Sequence, residues 1–145
     1  MNDIQALTFD VGGTVFDWQS PIRQRVGELA RERDAEIDPK QFALEWRAEM
    51  FRILKTVREG TSPWMNADEM HRQALDLLAE RYAKLALSAD ERTDLVETWH
   101  RLDVWPDFPA ALERLRARYR VIVLTIMSFS IVVDSSRASG IVWDG

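Results

Sequence analysis

The chain has 145 residues, with 24 Asp and Glu against 19 Lys and Arg, for a formal charge of −5. That balance disfavours nucleic acid or an anionic membrane as a partner, and the lack of cysteine excludes disulfides, thiolate metal sites and thiol catalysis. A single soluble domain burying roughly 70% of its unfolded surface is the expectation. The polar start Met1-Asn2-Asp3, with no apolar run near membrane length, predicts a cytoplasmic address.

Taken in chain order, Ile4–Phe9 is an apolar run that reads as a short strand covered on both faces, as in parallel sheets. Asp10 ends it and Val11-Gly12-Gly13-Thr14 follows at once. A carboxylate at the carboxyl tip of a strand, above a glycine turn that opens backbone N–H groups, suits a nucleophile acting on a small anion. The same residues also suit a turn that merely ends a strand. On the residues alone, both readings stay open.

A helical block comes next. Ser20-Pro21 predicts an N-cap and first helical residue for a helix to about Arg33, and Asp38-Pro39 repeats the signal. Phe42, Trp46, Met50, Ile53, Leu54 and Val57 form an apolar stripe at helical spacing, ended by Gly60-Thr61-Ser62-Pro63. A third helix is expected from about Asn66 to Lys84, with Met70, Ala74, Leu77, Leu78 and Tyr82 inward. Ser88-Ala89-Asp90-Glu91 is a capping box for a fourth, to about Arg101.

Trp105-Pro106-Asp107 then leads into a fifth helix, Pro109–Arg118. Val121–Thr125 is a second apolar strand, and Ser130–Ser139 a final helix stopped by Gly140. Asp17 is expected in a loop entering the helical block. Most of the six tryptophans are expected in the interior. His71 and His100 have no second His or Cys at ligand spacing, so no metal is expected. Arg114, Arg116, Arg118 and Arg120 read as a solvated face near a helix C-terminus.

Phe9-Asp10-Val11-Gly12-Gly13-Thr14-Val15-Phe16-Asp17 resembles the first motif of the haloacid dehalogenase-like hydrolases, and Val121–Thr125 resembles their second. A helical insert separates the two where that family places its cap. The resemblance implies an α/β fold: a partial Rossmann-like parallel sheet, residues 1–18 and 105–145, with an inserted helical cap, 19–104. It points to the 2-haloacid dehalogenase branch.

Under that resemblance Asp10 is the nucleophile and Thr14 its support. Val11, Gly12, Arg47, Thr125, Ile126 and Ser128 are the substrate-binding positions. Arg47, in Leu44-Glu45-Trp46-Arg47, resembles the cap arginine that binds departing halide and the acid. On its residues alone it also reads as an exposed helix arginine paired with a nearby Glu.

Gly12 stands where phosphatases of the superfamily carry a second Asp, which protonates the departing alkoxide. Losing a general acid costs typically 10² to 10⁴-fold in rate, whereas a halide leaves without a proton. Gly12 therefore favours dehalogenation, although dehalogenases more often place a tyrosine there. Ile126 replaces the family's usual Asn, so carboxylate recognition falls to Thr125, the backbone and Ser128.

No cofactor is implied, and the partner implied is a small 2-halo acid. Family members continue to a third-motif lysine and a fourth-motif acidic residue, which the residues to Gly145 do not supply. The resemblance thus covers an N-terminal portion. The chain is expected to be poorly stable or self-associating, with little or no turnover. A non-catalytic fragment or binding module is the alternative, and a phosphatase a third.

Overall fold

The computed structural model describes residues 4–145; Met1-Asn2-Asp3 lies outside the described residues. The chain divides into two compact units, Met1–Trp18 with His100–Gly145, and Gln19–Trp99. No described helix is long and apolar enough to cross a membrane.

In the first unit, β1 (Ala6–Phe9) pairs in parallel with β4 (Arg120–Val123), in the register Ala6↔Arg120 to Phe9↔Val123. Two further strands, β2 (Phe16–Asp17) and β3 (Asp103–Val104), form a short antiparallel pair. Asp17 is therefore a strand residue opposite Asp103, not a loop residue. Strands of two residues carry no periodicity that could announce them.

The expectation that the first strand is covered on both faces is also corrected. Burial alternates along β1, with Ala6 and Thr8 exposed and Leu7 and Phe9 half-buried. One face packs: Phe9 lies edge-on to Phe108 at 5.7 Å and tilted to Trp143 at 6.4 Å. That alternation marks a half-buried strand.

Helix α5 (Phe108–Arg116) packs on β4, and α6 (Phe129–Ser139) lies against β3. α6 starts at its N-cap Ser128 and ends at Gly140, whose φ of 68° is the left-handed turn glycine supplies at little cost. Val11, Phe16, Leu102, Leu112, Val121 and Ile131 form the interior of this unit.

Beyond α6 the chain returns to the sheet. Asp144 N–H donates to the Val121 carbonyl at 2.9 Å, and Val123 N–H donates to Gly145 O at 2.8 Å. The Asp144 carboxylate accepts Val121 N–H at 2.9 Å and Arg116 Nη2 at 2.8 Å. Arg116 therefore does not belong to a purely solvated face. It pins a segment 28 residues away, a separation no local pattern encodes.

The second unit is helical: α1 (Gln19–Glu32), α2 (Pro39–Arg58), α3 (Ala67–Arg81) and α4 (Ala89–Glu97). Helix α1 begins at Gln19, so Ser20 sits inside its first turn rather than capping it. Pro21 is tolerated there because first-turn N–H groups have no intrahelical partner. Asp38 caps α2 by accepting Lys40 N–H at 2.8 Å. Asn66 and Ser88 each close a capping box, with Glu69 and Glu91.

The apolar stripe of α2 buries Phe42, Trp46, Met50 and Ile53 against α1 and α3. On α3 the inward face is Met70, His71, Ala74, Leu75 and Leu78, while Leu77 is exposed and Tyr82 half-buried. α3 is shorter than expected and ends at Arg81, followed by a 3-10 turn at Ala83–Leu85. A similar turn at Thr98–His100 takes over from α4.

Trp46 donates to the His71 carbonyl at 2.9 Å, and the His71 ring stacks on Trp99 with centroids 3.8 Å apart. Trp46 and Trp99 are the deeply buried tryptophans, whereas Trp105 is exposed and Trp64 is 80% exposed. Trp64 lies in the loop between α2 and α3, so its size does not carry it inward. Ion pairs link these helices and their flanking turns. Arg25 meets Asp94 at 2.6 Å, Arg92 meets Asp76 at 3.0 Å, Arg33 pairs with Glu91, and Arg81 reaches the buried Glu49 at 2.5 Å.

Candidate active site

Asp10 directly follows β1 and is exposed. The turn after it is closed by backbone bonds: Val15 and Phe16 N–H both donate to the Val11 carbonyl, at 3.0 and 2.9 Å, and Gly13 N–H donates to Phe16 O at 2.9 Å. Gly13 has φ 99°, a conformation that side chains with a Cβ disfavour. Val11 is fully buried, so its side chain anchors the turn from below. The Thr14 hydroxyl donates to Asp10 Oδ2 at 3.1 Å, which fixes one edge of the carboxylate.

The second strand tip arrives by pairing. Leu124 N–H donates to the Phe9 carbonyl at 2.8 Å, extending the parallel ladder one step past β4. Asp10 follows Phe9 and Thr125 follows Leu124, so both residues lie just beyond the same end of the two paired strands. Thr125 Oγ1 accepts Met127 N–H at 3.2 Å, which leaves its own hydrogen to donate elsewhere.

Ser128 Oγ accepts Ile131 N–H at 3.2 Å as the cap of α6 and lies 3.0 Å from Ser130 Oγ. Ile126 is partly exposed between them and offers no polar side-chain atom.

Within this unit Asp10, Val11, Gly12 and Thr14 lie in the turn after β1, and Thr125, Ile126 and Ser128 lie in the segment after β4, beyond the same end of the paired strands. Arg47 belongs to the other unit, on α2. It is half-buried there, with its guanidinium carbon 5.5 Å from the Phe51 ring centroid, a cation–π pair one turn apart.

Two residues carry the site without having been singled out. Trp105 donates its indole N–H to the Gly13 carbonyl at 3.1 Å and its backbone N–H to Val15 O at 2.9 Å, bracing the glycine turn. The Trp105-Pro106 step signalled a return to the core but not this bond. Met127 lies against Gly12, and as an apolar residue after a strand end it gave no signal. Elsewhere in the unit, His100 Nδ1 and Asp134 Oδ2 are 2.8 Å apart.

Neither a protein-family model nor a curated protein matches the chain. Solved structures do. The L-2-haloacid dehalogenase PA0810 is 32% identical with a TM-score of 0.88, over 98% of this chain and 60% of that one. A defluorinating L-2-haloacid dehalogenase is 29% identical with a TM-score of 0.88, over 99% and 59%. An L-2-haloacid dehalogenase from Xanthobacter autotrophicus, with chloropropionic acid covalently bound, shares the fold at 22% identity and a TM-score of 0.73, over 95% and 53%.

The chain spans about 60% of the length of the first of these relatives. The first and second motifs follow the ends of the paired strands β1 and β4, and nearly the whole chain has the fold of the L-2-haloacid dehalogenases, consistent with an N-terminal portion of the haloacid dehalogenase-like type II enzymes.

Proposed function

We propose that the chain carries the nucleophile and acid-binding half of a hydrolytic 2-haloacid dehalogenase. A carboxylate oxygen of Asp10 attacks C2 of a short 2-halo acid. The carbon–halogen bond breaks, and the halide leaves with the bonding pair. Water then attacks the carbonyl carbon of the resulting aspartyl ester, releasing the 2-hydroxy acid and a proton and restoring Asp10.

The observation that carries this reading is that Asp10 and Thr125 each lie just past the end of two strands paired in parallel, with glycine at position 12. Thr14 orients the nucleophile through Oδ2. Thr125 keeps a hydrogen for the substrate carboxylate. No side chain at position 12 can protonate a leaving group, and a halide needs none. Arg47 has the role of holding the departing halide, which its permanent charge and several donors suit. Val11 and Gly12 are assigned backbone contacts to the substrate, and Ile126 and Ser128 the substrate-binding positions that follow the second strand.

Incubation with (S)-2-chloropropanoate tests this. The acyl mass is expected on the intact chain and, after digestion, on Asp10. Asp10→Asn should abolish both the ester and halide release, and undiminished halide release by that variant would overturn the assignment. Ester that accumulates to one equivalent without further halide locates the failure in the water step rather than in the attack.

A further inference from the structure

We propose that Met127 sets substrate chain length at this site: its thioether fills the space over Gly12 and admits only short 2-halo acids to Asp10. This rests on the dehalogenase reading and adds to it the size class of the substrate.

Gly12 is not held in the left-handed region, so its backbone does not require glycine. A Cβ placed on it would lie 3.4 Å from the Met127 sulfur, 3.8 Å from the ε-methyl carbon and 3.9 Å from Cγ. One methyl group would therefore just touch the thioether. The room left by the missing side chain at position 12 is already occupied by a residue 115 positions later in the chain.

Met127 is tethered at its backbone by the bond to Thr125 Oγ1, so the thioether is delivered from a fixed point. Met127 also lines an apolar cavity of about 610 Å³, together with Val123, Leu124, Thr125, Phe129 and Trp143. Gly12 does not line that cavity, so Met127 touches both it and the space over Gly12. Shortening it joins the two, and the added volume is lined by groups that suit an alkyl chain. Methionine yields to pressure more readily than a branched residue, so the limit is graded.

The experiment compares the parent chain with Met127→Ala, using (S)-2-chloropropanoate and (S)-2-chlorohexanoate. The readout is the initial rate of ester formation on Asp10 by intact mass. A single methylene in an apolar pocket is worth roughly 10-fold or more in discrimination. The hexanoate-to-propanoate rate ratio should therefore rise about 10-fold or more in Met127→Ala, and an unchanged ratio overturns the proposal.

A second measurement needs neither turnover nor a variant. The carbon-13 signal of the Met127 ε-methyl in the parent chain should shift on titration with propanoate, which has no leaving group. An unmoved signal also overturns the proposal. Absence of any ester with either halo acid would instead sink the dehalogenase reading, and the propanoate titration would still decide whether Met127 lines an acid site.

Discussion

The helical unit Gln19–Trp99 buries a continuous apolar interior and exposes Leu44, Phe51, Trp64 and Leu77, whereas the smaller sheet-bearing unit exposes Ile4, Trp105, Leu124, Ile126, Phe129 and Val142. In the former, Leu29, Phe42, Trp46, Leu75, Leu78 and Leu95 are fully buried, and ion pairs such as Arg25–Asp94 and Arg92–Asp76 tie helix to helix. In the latter, Phe129 is 85% and Leu124 68% exposed, and β1 has only β4 beside it among the described residues. The contrast follows from how each element finds partners. Antiparallel helices joined by short loops bury a stripe against near neighbours in sequence, while a parallel strand pair must be assembled across a long crossover. Asp10 sits in the second kind of region, where the ends of strands rather than a filled core make the proposed site.

Removing Trp46 should break the comparison most severely. Trp46→Ala deletes the side chain that contacts Phe42, His71 and Trp99 and donates to the His71 carbonyl. Core Trp or Phe to Ala changes cost about 3–5 kcal/mol. Hydrogen exchange should show α2 and α3 amides losing most of their protection. Parent-like protection would mean that the helical core does not depend on this indole.

Arg47 asks whether the helical unit contributes chemistry as well as stability. If Arg47 holds halide and acid, Arg47→Ala should lower ester formation by about 1.5–3 kcal/mol, the worth of charge-assisted hydrogen bonds. Arg47→Lys should recover only part of it, because a point charge does not reproduce a planar fork of donors. Normal kinetics in Arg47→Ala, with circular dichroism unchanged, would return the residue to its local pairing with Phe51.

Ser88→Ala makes a smaller test of the same unit. It removes the oxygen that accepts Glu91 N–H at 3.2 Å, a cap worth about 1 kcal/mol. A denaturation midpoint identical to the parent's would argue that the Arg33–Glu91 pair alone holds the start of α4.

The mildest effect belongs to the sheet-bearing unit and depends on pH. The Arg116 guanidinium, then the Val121 N–H, hold the Asp144 carboxyl below its ordinary value. A carboxylate depressed in the folded chain stabilises it above the unfolded pKa, and that contribution fades as pH falls through the folded value. The protection factor of the Val121 amide, the observed exchange rate relative to the intrinsic rate at each pH, should therefore fall on acidification below about pH 4, near the usual carboxylate range. Asp144→Asn should show a low protection factor already at neutral pH and little further change. An equally steep acid response in that variant would assign the effect to another group.

Much of the helical unit was legible because its signals are local. Asp38-Pro39, the Ser88…Glu91 box and the Phe42–Ile53 stripe each act within a few residues, and the structure keeps them. Where local reading slipped, as with Ser20 inside α1 or Leu77 facing out on α3, the error is one position of a helical turn. Tertiary packing chose between nearly equivalent faces.

The site divides in the same way. Sequence by itself determined that Asp10 follows a strand, that glycines turn the chain beneath it, and that Thr125 ends a second apolar run. These are consequences of hydrophobic run length and backbone freedom within a dozen residues. Only the tertiary structure decided that Leu124 bonds Phe9, which sets the two tips side by side. It also decided that Asp144 reaches back to Val121 and Arg116, and that Met127 lies over Gly12. Each of those joins residues tens of positions apart, and such contacts depend on strand register and side-chain packing, which no local pattern of residues encodes.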